Sequence, residues 1–79
     1  MTPAKDGLML TEEVAEAFGV SGASVARWGQ TGRLVSVQTP GGHRRYFAVE
    51  VRALIAGASP QEAAKLAVAE RERMTGSPG

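Results

Sequence analysis

The chain has 79 residues, with 9 Lys+Arg, 8 Asp+Glu, one His, no Cys and a formal net charge of +1. That length holds one small domain, burying only about 60% of the surface its unfolded chain exposes. The missing cysteine excludes disulfides and thiolate metal sites. No apolar run reaches the ~20 residues of a bilayer span, and the first ten residues lack a signal-peptide core, so a soluble, cytoplasmic protein is the expectation.

Residues 1–9, with Pro3 and Gly7, read as a loose arm. Thr11 is a good N-cap for a helix over 12–18, where Glu12 and Glu13 suit the positive end of the dipole and Val14, Ala15 and Phe18 form one apolar face. Gly19 ends that helix. Ser21 caps a second one running to about Thr31, with Val25 and Trp28 inward and Gly32 as its stop. Two short helices joined by a Gly-containing turn make a helix-turn-helix pattern. Gly29, inside the second helix, costs about 1 kcal/mol relative to Ala and suits close approach of a neighbouring element.

After Gly32 the period changes. Residues 34–38 are strand-like, Thr39-Pro40-Gly41-Gly42 is a turn, and 44–47 return as a second strand, giving a β-hairpin. Ala48 to Ala56 reads as a third helix with Val51, Leu54 and Ile55 on its core face. Ser59-Pro60-Gln61-Glu62 has capping-box spacing and opens a fourth helix to about Met74. Its larger apolar residues are Leu66, Val68 and Met74, a weak stripe that predicts a solvent-facing tail helix before a partner-contact or docked one. The predicted fold is mainly α with a small β-hairpin: an arm over 1–9, a domain over 10–57, and a C-terminal helix and tail over 58–79.

Catalysis finds little material. The one Asp, Asp6, lies in the arm, far from the one His, His43, and there is no Cys nucleophile. Carboxylate pairs such as Glu12/Glu13 and Glu70/Glu72 fit solvated helix faces. A single His makes zinc improbable, and Gly41-Gly42 lacks the Gly-Lys-Ser/Thr pattern of a phosphate loop. No enzyme, metal or cofactor is expected.

Binding remains, and the charge is unevenly spread. Residues 1–26 carry −3, 27–52 carry +4 and 53–79 carry 0. All five cations of the middle third are Arg: Arg27, Arg33, Arg44, Arg45 and Arg52. Such asymmetry points to an anionic partner on one face. Ser21, Ser24 and Arg27 lie on the second helix away from Val25 and Trp28. Arg27 can read guanine or clamp a phosphate, and the serines can bond phosphate oxygens. Gly41, Gly42, His43, Arg44 and Arg45 form the hairpin tip and flank, where glycine permits close backbone approach and arginine suits phosphates. Thr39 and Arg33 flank the hairpin as further phosphate contacts. Tyr46 is expected half-buried with its hydroxyl free to reach a phosphate, Trp28 to be core, and Arg52 to pair with Glu50 or a neighbour.

Two stretches resemble a known family. Leu10-Thr11-Glu12-Glu13-Val14-Ala15 through Phe18-Gly19-Val20-Ser21, with Val25 and Trp28, resembles the helix-turn-helix of MerR-type winged-helix domains. Thr39-Pro40-Gly41-Gly42-His43-Arg44-Arg45-Tyr46 resembles their wing, and the small BldC-like DNA-binding proteins are the nearest members. The resemblance spans about residues 8–56. It implies a winged helix-turn-helix on double-stranded DNA, with Ser21, Ser24 and Arg27 on the recognition helix and Gly41 to Tyr46 on the wing. Gly22, Ala23 and Ala26 stand where the family is often polar or basic, which implies few base-edge contacts and a share for DNA shape. The family's coiled coil and effector domain have no counterpart here, so sensing of a drug or metal is not implied.

The expectation is a sequence-specific transcriptional regulator associated with the nucleoid, self-associating on adjacent DNA sites. A phage-type excisionase, bending DNA in an integrase complex, is the alternative. A protein-interaction adaptor using the fourth helix is a third.

Overall fold

The computed structural model describes residues 7–75, which form four helices and a three-stranded antiparallel sheet. In chain order these are β1 (Leu8–Leu10), α1 (Thr11–Phe18), α2 (Gly22–Thr31), β2 (Ser36–Gln38), β3 (Arg44–Phe47), α3 (Ala48–Ile55) and α4 (Pro60–Thr75). Residues 1–6 of the predicted arm, the 76–79 tail and the Met74 side chain lie outside the described residues. None of the described helices is long and apolar enough to cross a membrane.

The local signals act largely as their chemistry dictates. Ser21 caps α2, its Oγ accepting the Ser24 N–H at 3.2 Å. Ser59 does the same for α4, accepting from Glu62 at 3.2 Å. Gly19 and Gly32 close α1 and α2 at φ +72° and +84°, in the left-handed region where glycine carries no Cβ penalty. The start of α1 differs from expectation. Its N-cap is Leu10, and Thr11 is already helical. Leu10 is the last extended residue because it also ends β1, and its N–H is satisfied by Glu13 Oε1 at 2.8 Å.

That strand is the main addition to the predicted hairpin. Sheet order is β1-β3-β2, with Leu8 opposite Phe47, Met9 opposite Tyr46 and Leu10 opposite Arg45. On the other side Ser36 faces Tyr46, Val37 faces Arg45 and Gln38 faces Arg44. Residues 8–9 are therefore sheet, not loose arm. Strand alternation puts Arg44 and Tyr46 on one face and Arg45 and Phe47 on the other.

Tyr46 joins Val14, Ala15, Val25, Leu34 and Val51 in the main core, with Met9, Phe18, Trp28 and Leu54 packed against it. Phe18 and Trp28 meet edge to face, centroids 5.7 Å apart, locking α1 to α2. Trp28 is thus a packing residue, as its spacing predicts. Phe47, on the opposite face, is also fully buried. On the β1 side Leu8 is its register partner, and Glu70 of α4 lies beside Gly7, the residue preceding Leu8.

The fourth helix is accordingly docked, and the solvent-facing tail expected from its weak stripe is corrected. Ala63 and Ala67, four apart, are fully buried, and α4 packs chiefly on α3. Each alanine contributes little transfer energy, but its small size brings the helix axes close. Leu66, counted on in the sequence, is 48% exposed.

On α3, Val51 is buried and Leu54 partly so, while Ile55 is exposed at the helix end, contrary to expectation. In its place Glu50 is interior, 1% exposed, its Oε1 accepting the Val35 N–H at 3.0 Å and its Oε2 unpartnered. Arg52 is exposed and makes no ion pair with Glu50. Burial raises the Glu50 pKa, and the Val35 hydrogen bond opposes this more weakly. With the folded-state pKa above the unfolded one, the stability Glu50 contributes is full below the usual carboxylate range. It is lost as pH rises through the folded-state value. Glu50→Gln is therefore expected to show a smaller loss of stability than the parent as pH rises above the usual carboxylate range. Urea unfolding over that rise in pH checks this; parallel stability curves would contradict it.

Candidate nucleic-acid interface

The second helix and the hairpin touch at a glycine. A Cβ on Gly29 would stand 3.0 Å from Arg44 Cδ and 3.1 Å from both Tyr46 Cε2 and Tyr46 Oη. The glycine that lowers helix propensity is what lets α2 lie against β3, the close approach its position suggested. Arg44 and Tyr46, on the same strand face, pack onto α2 there.

On α2, Ser21 is exposed and Ser24 half-buried, with their hydroxyls 3.1 Å apart. One hydroxyl proton bridges the pair, which leaves the other for an outside acceptor. The first-turn N–H groups of Gly22 and Ala23 have no intrahelical partner. Arg27 is exposed, and so is Arg33 just past the helix. Neither pairs with a carboxylate among the described residues.

The hairpin tip is closed by backbone bonds from Thr39 to the His43 carbonyl and from Gly42 to the Thr39 carbonyl, each 2.8 Å. Gly42 adopts φ +84°, which this turn requires. Gly41, Gly42 and His43 are exposed, with the imidazole folded against Gly41.

Three expected contacts change on this geometry. The Thr39 hydroxyl donates to the His43 carbonyl at 3.2 Å. Its one proton therefore holds the turn and is not offered to a phosphate. Tyr46 is wholly buried, and its hydroxyl has no partner and no route to solvent. It is a core residue because the sheet is covered on both faces, so no half-exposed edge is left for it. Arg44 and Arg45, grouped together in the sequence, point to opposite faces. Arg44 donates from Nη1 to Ser36 Oγ at 3.1 Å and lies beside α2. Among the described residues Arg45 reaches only the Arg44 carbonyl, at 3.4 Å, between Leu10 and Val37. Of the two, only Arg44 shares the face that meets α2.

Four polar residues were not singled out in the sequence. Gln30 is exposed three residues after Arg27, where an amide can read adenine. Its helical spacing from Arg27 carried that signal. Gln38 and Ser36 share the Arg44 face by register, which no local pattern reveals. Glu50 is buried four residues before Leu54, a spacing that places it on the core side of α3 despite its charge.

Taken together, α2, the following turn and the hairpin bring Arg27, Arg33 and Arg44 onto adjoining elements, with no acidic side chain paired to them among the described residues. No family model matches the chain, and no curated protein matches its sequence. Among the described residues no cluster of three or more His, Asp or Glu could hold a metal ion.

Proposed function

We propose that this chain is a winged helix-turn-helix protein that binds double-stranded DNA and regulates transcription, in the manner of the MerR-type and BldC-like domains it resembles. In this reading α1 and α2 are the helix-turn-helix, β2 and β3 the wing, and α2 the helix that enters the major groove. The supporting observation is the Gly29 contact. It sets the candidate recognition helix against the hairpin, with Arg27, Arg33 and Arg44 unneutralised.

The roles then divide by geometry. Arg27, exposed on α2, is the candidate base reader, with Gln30 beside it. Ser21 or Ser24 and the free N–H groups of the first α2 turn suit a phosphate. Arg33, Arg44 and His43 suit the backbone alongside, and Gly41 and Gly42 admit it closely. The protein acts by binding, without catalysis or cofactor, as a nucleoid-associated factor. A single module of this size binds weakly, so copies on adjacent sites belong to the proposal.

The experiment that separates reading from clamping is Arg27→Ala, assayed by fluorescence anisotropy on cognate and random duplexes. A loss of about 1–3 kcal/mol on cognate DNA with little change on random DNA is expected. Equal losses on both would make Arg27 a phosphate clamp.

A further inference from the structure

We propose that Glu50 is a positioning residue for DNA contact: from the interior it pins the root of the hairpin and, through Ser36, sets where Arg44 lies beside α2. This rests on the DNA-binding reading above.

The path is continuous. The β2–β3 register begins at Ser36 opposite Tyr46, so the Val35 amide falls just outside the ladder. β2 is an edge strand, and among the described residues no further strand could take that N–H. Glu50 Oε1 takes it, at 3.0 Å. The next residue, Ser36, accepts from Arg44 Nη1 at 3.1 Å, and the Arg44 stem crosses Gly29. Glu50 thus connects α3 to the hairpin root, and the root to the cation that borders α2. It touches no DNA itself.

A carboxylate is a costly way to satisfy one amide. Glu50 is 1% exposed, and its Oε2 has no partner. Buried polar groups without partners destabilise a fold, and an apolar residue of similar volume removes that cost. The same replacement leaves the Val35 N–H unpaired. Val35 is half-buried beside an edge strand, so water can take that N–H while the hairpin root loses its tether; stability and hairpin position therefore respond to Glu50 in opposite directions, which makes the role testable.

The test compares Glu50→Leu and Glu50→Gln in the full chain. Three quantities are read: the unfolding midpoint, exchange of the Val35 amide by NMR, and DNA affinity against salt. Glu50→Gln keeps an acceptor and is expected to keep Val35 protection and the parent salt slope. Glu50→Leu is expected to unfold no earlier than the parent yet exchange Val35 about tenfold faster. Its log–log salt slope should be shallower by about 0.9, the share of one phosphate. Arg44→Ala should show the same reduction, with no further loss in the double variant. If the Leu variant does not fold, Glu50→Met, unbranched, takes its place. Parent-like slope and affinity in the apolar variant would overturn this proposal alone. Absence of salt-dependent DNA binding by the parent chain would overturn the DNA reading and this proposal with it.

Discussion

Tyr46→Phe is expected to bind DNA as the parent does and to be at least as stable, while Tyr46→Ala is expected to lose a large share of the domain's stability. Both follow from one observation: Tyr46 is fully buried in the main core, with an unpartnered hydroxyl. A buried hydroxyl without a partner costs about 1–3 kcal/mol, so deleting the oxygen relieves a penalty. Deleting the ring removes the largest side chain of that cluster. Losses of about 3–5 kcal/mol accompany comparable truncations. A domain of this length has about 4–12 kcal/mol in total. Thermal unfolding by circular dichroism reads the stabilities, and anisotropy reads the affinity of the Phe variant. A Phe variant that folds but binds DNA several-fold more weakly would show that the hydroxyl reaches the duplex.

Gly29→Leu is the second large effect. Even a Cβ at this position stands 3.0–3.1 Å from Arg44 and Tyr46. Alanine gains about 1 kcal/mol of helix propensity and needs its neighbours to yield by only a few tenths of an ångström, so Gly29→Ala should change stability little. Leucine must push β3 away from α2. It is expected to cost about 1–3 kcal/mol of stability and, through displacement of Arg44, to weaken binding to cognate and random DNA alike. Urea unfolding and anisotropy check the two parts. A Leu variant with parent stability and affinity would mean that α2 and the hairpin need not be in contact.

These positions also show what the sequence could and could not carry. Helix ends were legible because their chemistry is local: Ser21, Ser59, Gly19 and Gly32 each act within a turn of their own position. The hairpin was legible from its turn residues. Strand β1 was not, because three residues are too few for a period, and its partner β3 lies far along the chain. The docking of α4 was missed for an energetic reason: Ala63 and Ala67 register weakly on any hydrophobic scale, yet their size is what permits close packing. Tyr46 was misplaced because half-exposure holds for a sheet covered on one face, and this sheet buries Tyr46 on one side and Phe47 on the other. Glu50 is not legible because its charge marks it as a surface residue, while its helical position puts it on the core side of α3. Among the candidate contacts, one of Ser21 and Ser24, together with Arg27 and Arg33, keeps a side-chain donor for a partner. So do His43 and Arg44, while the Thr39 hydroxyl and Tyr46 turn inward.

The central claim is that the basic segment over 27–52 meets a polyanionic duplex through α2 and the hairpin. Its most direct test is the salt dependence of duplex-DNA affinity for the full chain. With about four phosphates neutralised per monomer, log K should fall against log salt with a slope near −3.6. A slope near zero, or no binding at low salt, would contradict it.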